Sequence, residues 1–243
     1  MREHGLCVSV TKRRGRRPER RDELFPPTQP LSARVVFPAM DEIGLFPLGL
    51  VLLPSEQVPL HIFELRYQEL IGESLEQGVP FGIVYADDDG LRQVGTLATV
   101  SEVVERFDDG RLNILVEGGE RFRLLELTPG RSFVTGRVEP MDDQDDPAEE
   151  LEVERALSLF ARLVELTGGD LEPPDRETPG LSFAIAGRFD LSPDLKQELL
   201  TETSERIRLA RLCELLVIAA ETVERQKEIA TRAHSNGKVH PPG

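Results

Sequence analysis

Tryptophan is absent from this 243-residue chain, and tyrosine and cysteine occur only twice each. Cys7 sits near the N-terminus and Cys213 in an apolar helical stripe, so no disulfide framework is expected and a reducing, cytoplasmic setting fits. No apolar run reaches the roughly 18 residues of a membrane-spanning helix, which leaves no membrane partner to assign. "MREHGLCVSV" is too short and too polar for a secretory segment. The histidines are His4, His61, His234 and His240, and none has a second ligand at motif spacing, so no metal is assigned. The phosphate-cradling pattern G-x-x-x-x-G-K-[ST] is missing, since Gly237–Lys238 is followed by Val239 in a polar tail. No cofactor is expected.

Charge is plentiful but uneven. The formal net charge is −15. Residues 1–39 hold nine Lys/Arg against four Asp/Glu, whereas residues 40–243 hold twenty against forty. The acidic body argues against nucleic acid and anionic membrane as partners. The basic "TKRRGRRPERR" run fits three readings: a disordered tail, a functional arm, or sequence upstream of a true start at Met40. We expect 1–39 and 232–243 to be disordered tails.

Between them the hydrophobic period changes once. "LFPLGLVLL" (45–53) reads as a buried strand with Pro47 near its start, and "PSEQVP" as a turn or loop. "LHIFELRYQELIGESLEQG" reads as a helix, Pro59 just ahead of it and Gly78 closing it; Ile62, Phe63, Tyr67, Leu70, Ile71 and Leu75 form one face. Strands follow at 79–86 and 94–107, the second one bent, since its alternation slips between Val100 and Val104. "DDG" (108–110) marks a hairpin, "RLNILVEG" alternates cleanly, "GGE" (118–120) is a turn or bulge, and "RFRLLEL" and "SFVTGRVEP" are two more strands. About six mainly antiparallel strands with one inserted helix imply a curled, barrel-like sheet. After the acidic "MDDQDDPAEE" the period is helical: 151–166 stopped by Gly168–Gly169, a short "LSFAIAGRF", a helix capped by Ser192 with Pro193 first, and a long last helix. Its expected stripe is Ile207, Ala210, Cys213, Leu216, Val217, Ala220 and Val223. The fold class is α+β, with a β domain at 40–140 and a helical bundle at 147–231.

Three blocks carry a resemblance: "LFPLGLVLLPSEQVPLHIFELRY", "VGTLATVSEVVERFDDGRLNILVEGGERFRLLEL" and "LSFAIAGRFDLSPDLKQELLTETSERIRLARLCELL". Together, across about 45–218, they resemble the N-terminal, substrate-binding domain of ATP-dependent Lon proteases. The resemblance implies a PUA-like pseudo-barrel followed by a helical bundle, and a role in binding proteins or unfolded segments. Its signature positions here are Phe46, Pro47, Pro54, Pro59, His61, Phe63, Glu64, Arg66 and Tyr67. Many family members have glycine where Ser55 stands, so that turn is expected to differ in detail.

These positions read as scaffold. Tyr67 should pack inward, and Glu64 and Arg66 should tie the helix to backbone groups of nearby strands. His61 reads as structural or partly exposed, with capture of a peptide carboxylate as the sharper alternative. "DDDG" (87–90) and "DDQDD" (142–146) lack calcium-loop spacing and read as solvated turns. Ser192 and Lys196 read as a helix cap and a solvent-facing charge, not a nucleophile and its base. Cys213 reads as core. No catalytic residue is assigned. The expected function is a non-catalytic protein- or peptide-binding module, whose partners are proteins or unfolded segments, with a separate protease as a further candidate. The alternatives are an enzyme of unrecognised activity, or an RNA or small-molecule binder on a PUA-like fold. A partner segment is expected to touch the barrel and the helix at 151–166 together.

Overall fold

The computed structural model describes residues 41–129 and 131–236. The expectations for 1–39 and for 237–243 fall outside these residues. Six strands and five helices follow in the order β1 (Asp41–Leu48), β2 (Gln57–Ile62), α1 (Leu65–Gln77), β3 (Phe81–Asp87), β4 (Gly90–Arg106), β5 (Leu112–Thr128), β6 (Thr135–Pro140), α2 (Glu150–Thr167), α3 (Leu181–Ala186), α4 (Pro193–Thr201) and α5 (Glu205–Asn236).

The strands close on themselves. The order is β2-β5-β4-β3-β1-β6, and β6 pairs again with β5. The ring closes because β5 is long: its first half carries β2 and its second half β6, with β4 along its other side. All pairings are antiparallel except β1 with β3, which α1 joins as a crossover. The slip expected in β4 is real, for the β4–β5 register shifts near Thr96, Val100 and Val103. Such bulges bend a strand enough to curl the sheet.

Two expectations are corrected and a third is resolved. The first strand ends at Leu48, and Val51, Leu52 and Leu53 are buried as irregular chain. The segment expected to open the helix is instead β2, and the helix starts at Leu65. Pro59 therefore lies inside a strand, tolerable because β2 is the edge of the sheet. "GGE" is the bulge rather than the turn: β5 runs through it, and its pairing with β4 jumps from Arg121 opposite Thr96 to Gly118 opposite Ala98. Gly118 is needed for a different reason, since a Cβ there would lie 2.1 Å from the Leu53 carbonyl oxygen where residues 51–56 cross β5.

Other local signals hold. Gly110 takes φ 88° in the β4–β5 hairpin, and Gly168 takes φ 65° at the end of α2. The Ser192 Oγ accepts a hydrogen bond from the Leu195 N–H at 3.5 Å. The long helix runs through Asn236, past the boundary set at 231. Its buried arc is rotated from the expected stripe: Leu209, Leu212, Cys213, Leu216 and Ala219 are buried, whereas Ile207 is 52% exposed. Arg208 lies in that arc, a core position that a hydrophobicity pattern denies it.

One face of the sheet packs on α1, with Phe46 stacked on Tyr67 at 4.0 Å between ring centres, while Leu45, Val84, Phe122 and Leu124 of the alternate positions form a cluster of their own. The helices share a second core around Phe160, Leu163, Phe189 and Leu212, which also takes in Val51, Leu53 and Val94 from the barrel side. Truncating a ring such as fully buried Phe160 costs about 3–5 kcal/mol. No helix among the described residues is long and apolar enough to cross a membrane.

Candidate functional site

A cleft of about 500 Å³ opens where barrel meets helices. One wall is the segment from Ser55 to Pro59; the other is α3, the turn after it and Lys196 of α4. The barrel wall begins with a tight turn. Glu56 N–H donates to the Leu53 carbonyl at 3.1 Å, with Pro54 and Ser55 as the central pair. Ser55 adopts φ 62°, as the third residue of a type II turn must. So serine here keeps the left-handed backbone that glycine adopts more easily, and Ser55 N–H still reaches the Gly118 carbonyl at 2.8 Å.

Glu56 is the hinge of the site. One carboxylate oxygen accepts from the Leu53 N–H at 2.9 Å, and the other meets the Lys196 ammonium at 2.5 Å. Both side chains are nearly dry, 7% and 13% exposed. Lys196 is therefore no solvent-facing charge but half of a buried pair. Helix α3 ends close by, and a Cβ on Gly187 would come 3.3 Å from that of Glu56. The arrangement holds the two walls together and presents mixed polar and apolar surface; with Ser192 capping α4 and Lys196 bound to Glu56, it does not assemble a nucleophile and base.

At the far end of β2 lies an aromatic cluster. The His61 ring sits 6.0 Å from Phe63 and 6.1 Å from Phe107. His61 Nδ1 and Asn113 Oδ1 are 2.6 Å apart, and Asn113 Nδ2 donates to Glu105 at 2.9 Å, a chain of side chains across three strands. Phe63 is 62% exposed and so does not share the buried face expected for it with Ile62 and Tyr67. Glu64 and Arg66 do not tie α1 to strand backbones either. They pair with each other at 2.8 Å, which is possible because Glu64 lies just outside the helix. The Arg66 guanidinium stands 4.6 Å over the Tyr67 ring, and burial raises the Tyr67 phenol above its ordinary value. The remaining signature positions are Phe46 on Tyr67, Pro47 in β1 and Pro54 in the turn.

Sequence reasoning missed the polar joint behind the cleft. Arg208 of α5 is fully buried and Arg121 of β5 nearly so. Both bind Asp143 of the acidic stretch after β6, and Arg208 also binds Glu205 and the Ser182 hydroxyl. Arg121 further donates to the Leu200 and Glu202 carbonyls at the end of α4, at 2.8 and 2.7 Å. Phe183 lies under both guanidiniums, 3.9 Å from that of Arg208 and 5.3 Å from that of Arg121. Burial lowers the Arg121 pKa. Burial pulls on Arg208 too, but Asp143 and Glu205 outweigh it and raise its pKa. The acidic stretch expected as a solvated turn is thus a strap: Gln144 N–H donates to the Thr203 carbonyl, and Asp146 accepts from Ser204 and Arg206. Helix α2 buries Phe160, Leu163 and Val164 among the helices, and the cleft faces α3 and α4 instead.

Residues 42–217 match the model of the ATP-dependent protease La (LON) substrate-binding domain. The chain belongs to the Lon substrate-binding domain family. It is similar to a Lon protease of Paraburkholderia phytofirmans, 30% identical over 198 residues, covering 74% of this chain and 24% of that protein. A Lon protease of Parabacteroides distasonis is 27% identical over 144 residues, 55% of this chain and 17% of its own. The chain thus spans about a quarter or less of these relatives. A crystal structure of a Lon N-terminal domain protein from Xanthomonas campestris superposes with a TM-score of 0.57 at 25% identity, covering 71% of this chain and 96% of that one. The N-terminal domain of a Mycobacterium avium complex Lon protease shares the fold at 16% identity, with a TM-score of 0.53 over 74% and 98% of the two chains. The matched Lon region is the substrate-binding one, not an ATPase or protease part.

Proposed function

We propose that the chain is a non-catalytic module that holds extended, unfolded segments of other polypeptides in the cleft between the barrel and α3–α4. The observation that carries this reading is the cleft itself, in a member of a Lon substrate-binding family. Its floor is fixed by Glu56 and Lys196, and its mixed lining suits many side chains rather than one. A separate protease in a reducing cytoplasm is the natural recipient of what it holds. The net charge of −15 disfavours nucleic acid and favours basic or neutral segments at low salt.

The test is hydrogen exchange with a panel of unfolded peptides at low and high salt. Protection at both 55–59 and 183–196 supports the reading. Protection on one wall only, or no binding at any salt, overturns it. The chain alone should neither hydrolyse ATP nor cleave casein.

A further inference from the structure

We propose that the bound segment adds as a short strand to the outer edge of β2, beside Pro59 and His61. This rests on the module reading above and says how the segment is gripped.

β2 pairs on one side only, with β5. In an antiparallel ladder alternate residues bond to the neighbour and the others point away. Gly118 N–H donates to the Glu56 carbonyl at 2.9 Å, which places the bonding set at Glu56, Val58, Leu60 and Ile62. Proline agrees with that parity, since it has no N–H to give. The Pro59 carbonyl and both backbone groups of His61 therefore face outward. Among the described residues no strand covers them.

Position makes this edge a candidate. β2 starts on the cleft wall at Val58 and Pro59 and ends at the His61–Phe63–Phe107 cluster. An extended segment on the edge would run lengthwise from the cleft to the rings, with its side chains on alternate faces. Recognition would come from its backbone, so sequence would matter little. The occupant is thus an unfolded chain with free N–H groups and an apolar side chain for the exposed Phe63.

Pro59 sets the length of the pairing. Its missing donor interrupts the ladder, so a guest is held by about three hydrogen bonds across 59–61. The same gap discourages edge-to-edge zipping of two copies.

Restoring the donor tests the idea. Pro59→Thr keeps a strand-compatible residue and adds an outward N–H. A labelled unfolded peptide that binds the full chain should bind this variant about 2- to 10-fold tighter, the value of one hydrogen bond. In the unaltered chain, peptide should slow exchange of the His61 amide, whereas Leu60 and Ile62, already bonded to β5, should change little. A peptide N-methylated at alternate positions should bind about 5-fold weaker or worse. Binding with an unchanged His61 amide and equal affinity for Pro59→Thr overturns edge pairing while leaving the module reading intact. Failure of every peptide to bind overturns the module reading itself. Self-association of Pro59→Thr without tighter peptide binding assigns the edge to a second copy and overturns the proposal.

Discussion

Lys196 and Glu56 lie 140 residues apart in sequence and form one ion pair across the cleft. Each is nearly withdrawn from water, so each depends on the other. Lys196→Ala leaves the carboxylate buried with the Leu53 N–H as its one remaining partner among the described residues. The expected loss is about 3–4 kcal/mol of unfolding free energy, because an orphaned buried charge keeps its desolvation cost. Urea denaturation measures it, and a loss under about 1 kcal/mol would mean that the pair is solvated in solution.

Ser55 stands where the backbone favours glycine. Ser55→Gly should stabilise the chain by about 0.5–1 kcal/mol, the relief of left-handed strain less glycine's extra chain entropy. Ser55→Val should destabilise it, since a branched side chain tolerates that conformation worst. Thermal melts of the two variants must shift in opposite directions.

Asp143 neutralises two buried arginines at once. Asp143→Asn should cost about 2–3 kcal/mol, below the usual range for a broken buried pair because Asp143 itself is 34% exposed. Exchange should then quicken in β5 and α5 together. Acceleration in only one of them would show that the strap does not couple barrel and helices.

The Asp146 carboxylate is held below its ordinary pKa of 3.8, first by the Ser204 hydroxyl and then by Arg206. A lowered folded-state pKa gives stability that is complete above 3.8 and fades as pH falls through the lower value. The strap should thus loosen in acid, seen as lower protection, relative to the intrinsic exchange rate at each pH, of the Gln144 and Arg206 amides, whose bonds join the strap to residues 203–206. Asp146→Asn should remove that difference between pH 5 and pH 3.

Much of this architecture is written locally. "DDG", Gly168 and Ser192–Pro193 mark their turns and helix ends by chemistry that acts within a few residues, and the structure follows them. The Lon-like blocks gave the order of barrel and helices. β2 was hidden because Pro59 argues against a strand unless that strand is known to be an edge, and an edge is a property of the whole sheet. The run "LHIFELRY" also mixes both periods, with Leu60 and Ile62 turned inward as a strand and Tyr67 as a helix. Arg121 and Arg208 were illegible for another reason. In a pattern of apolar and polar residues an arginine reads as surface, and only the distant arrival of Asp143 makes its burial possible. Lys196 was misread likewise, its partner being 140 residues away.

The long last helix gives the domain a handle. From Arg225 to Ala230 every residue of α5 is exposed, and the helix continues through Asn236. At 1.5 Å per residue, the stretch from Arg225 to Asn236 is a rod of about 17 Å. Its other end carries Arg208, fastened through Asp143 to Arg121 in the barrel wall. Tension applied at the rod's tip is therefore delivered to the sheet through charged bolts rather than greasy contacts alone, and the module should resist being pulled apart until those bolts shear.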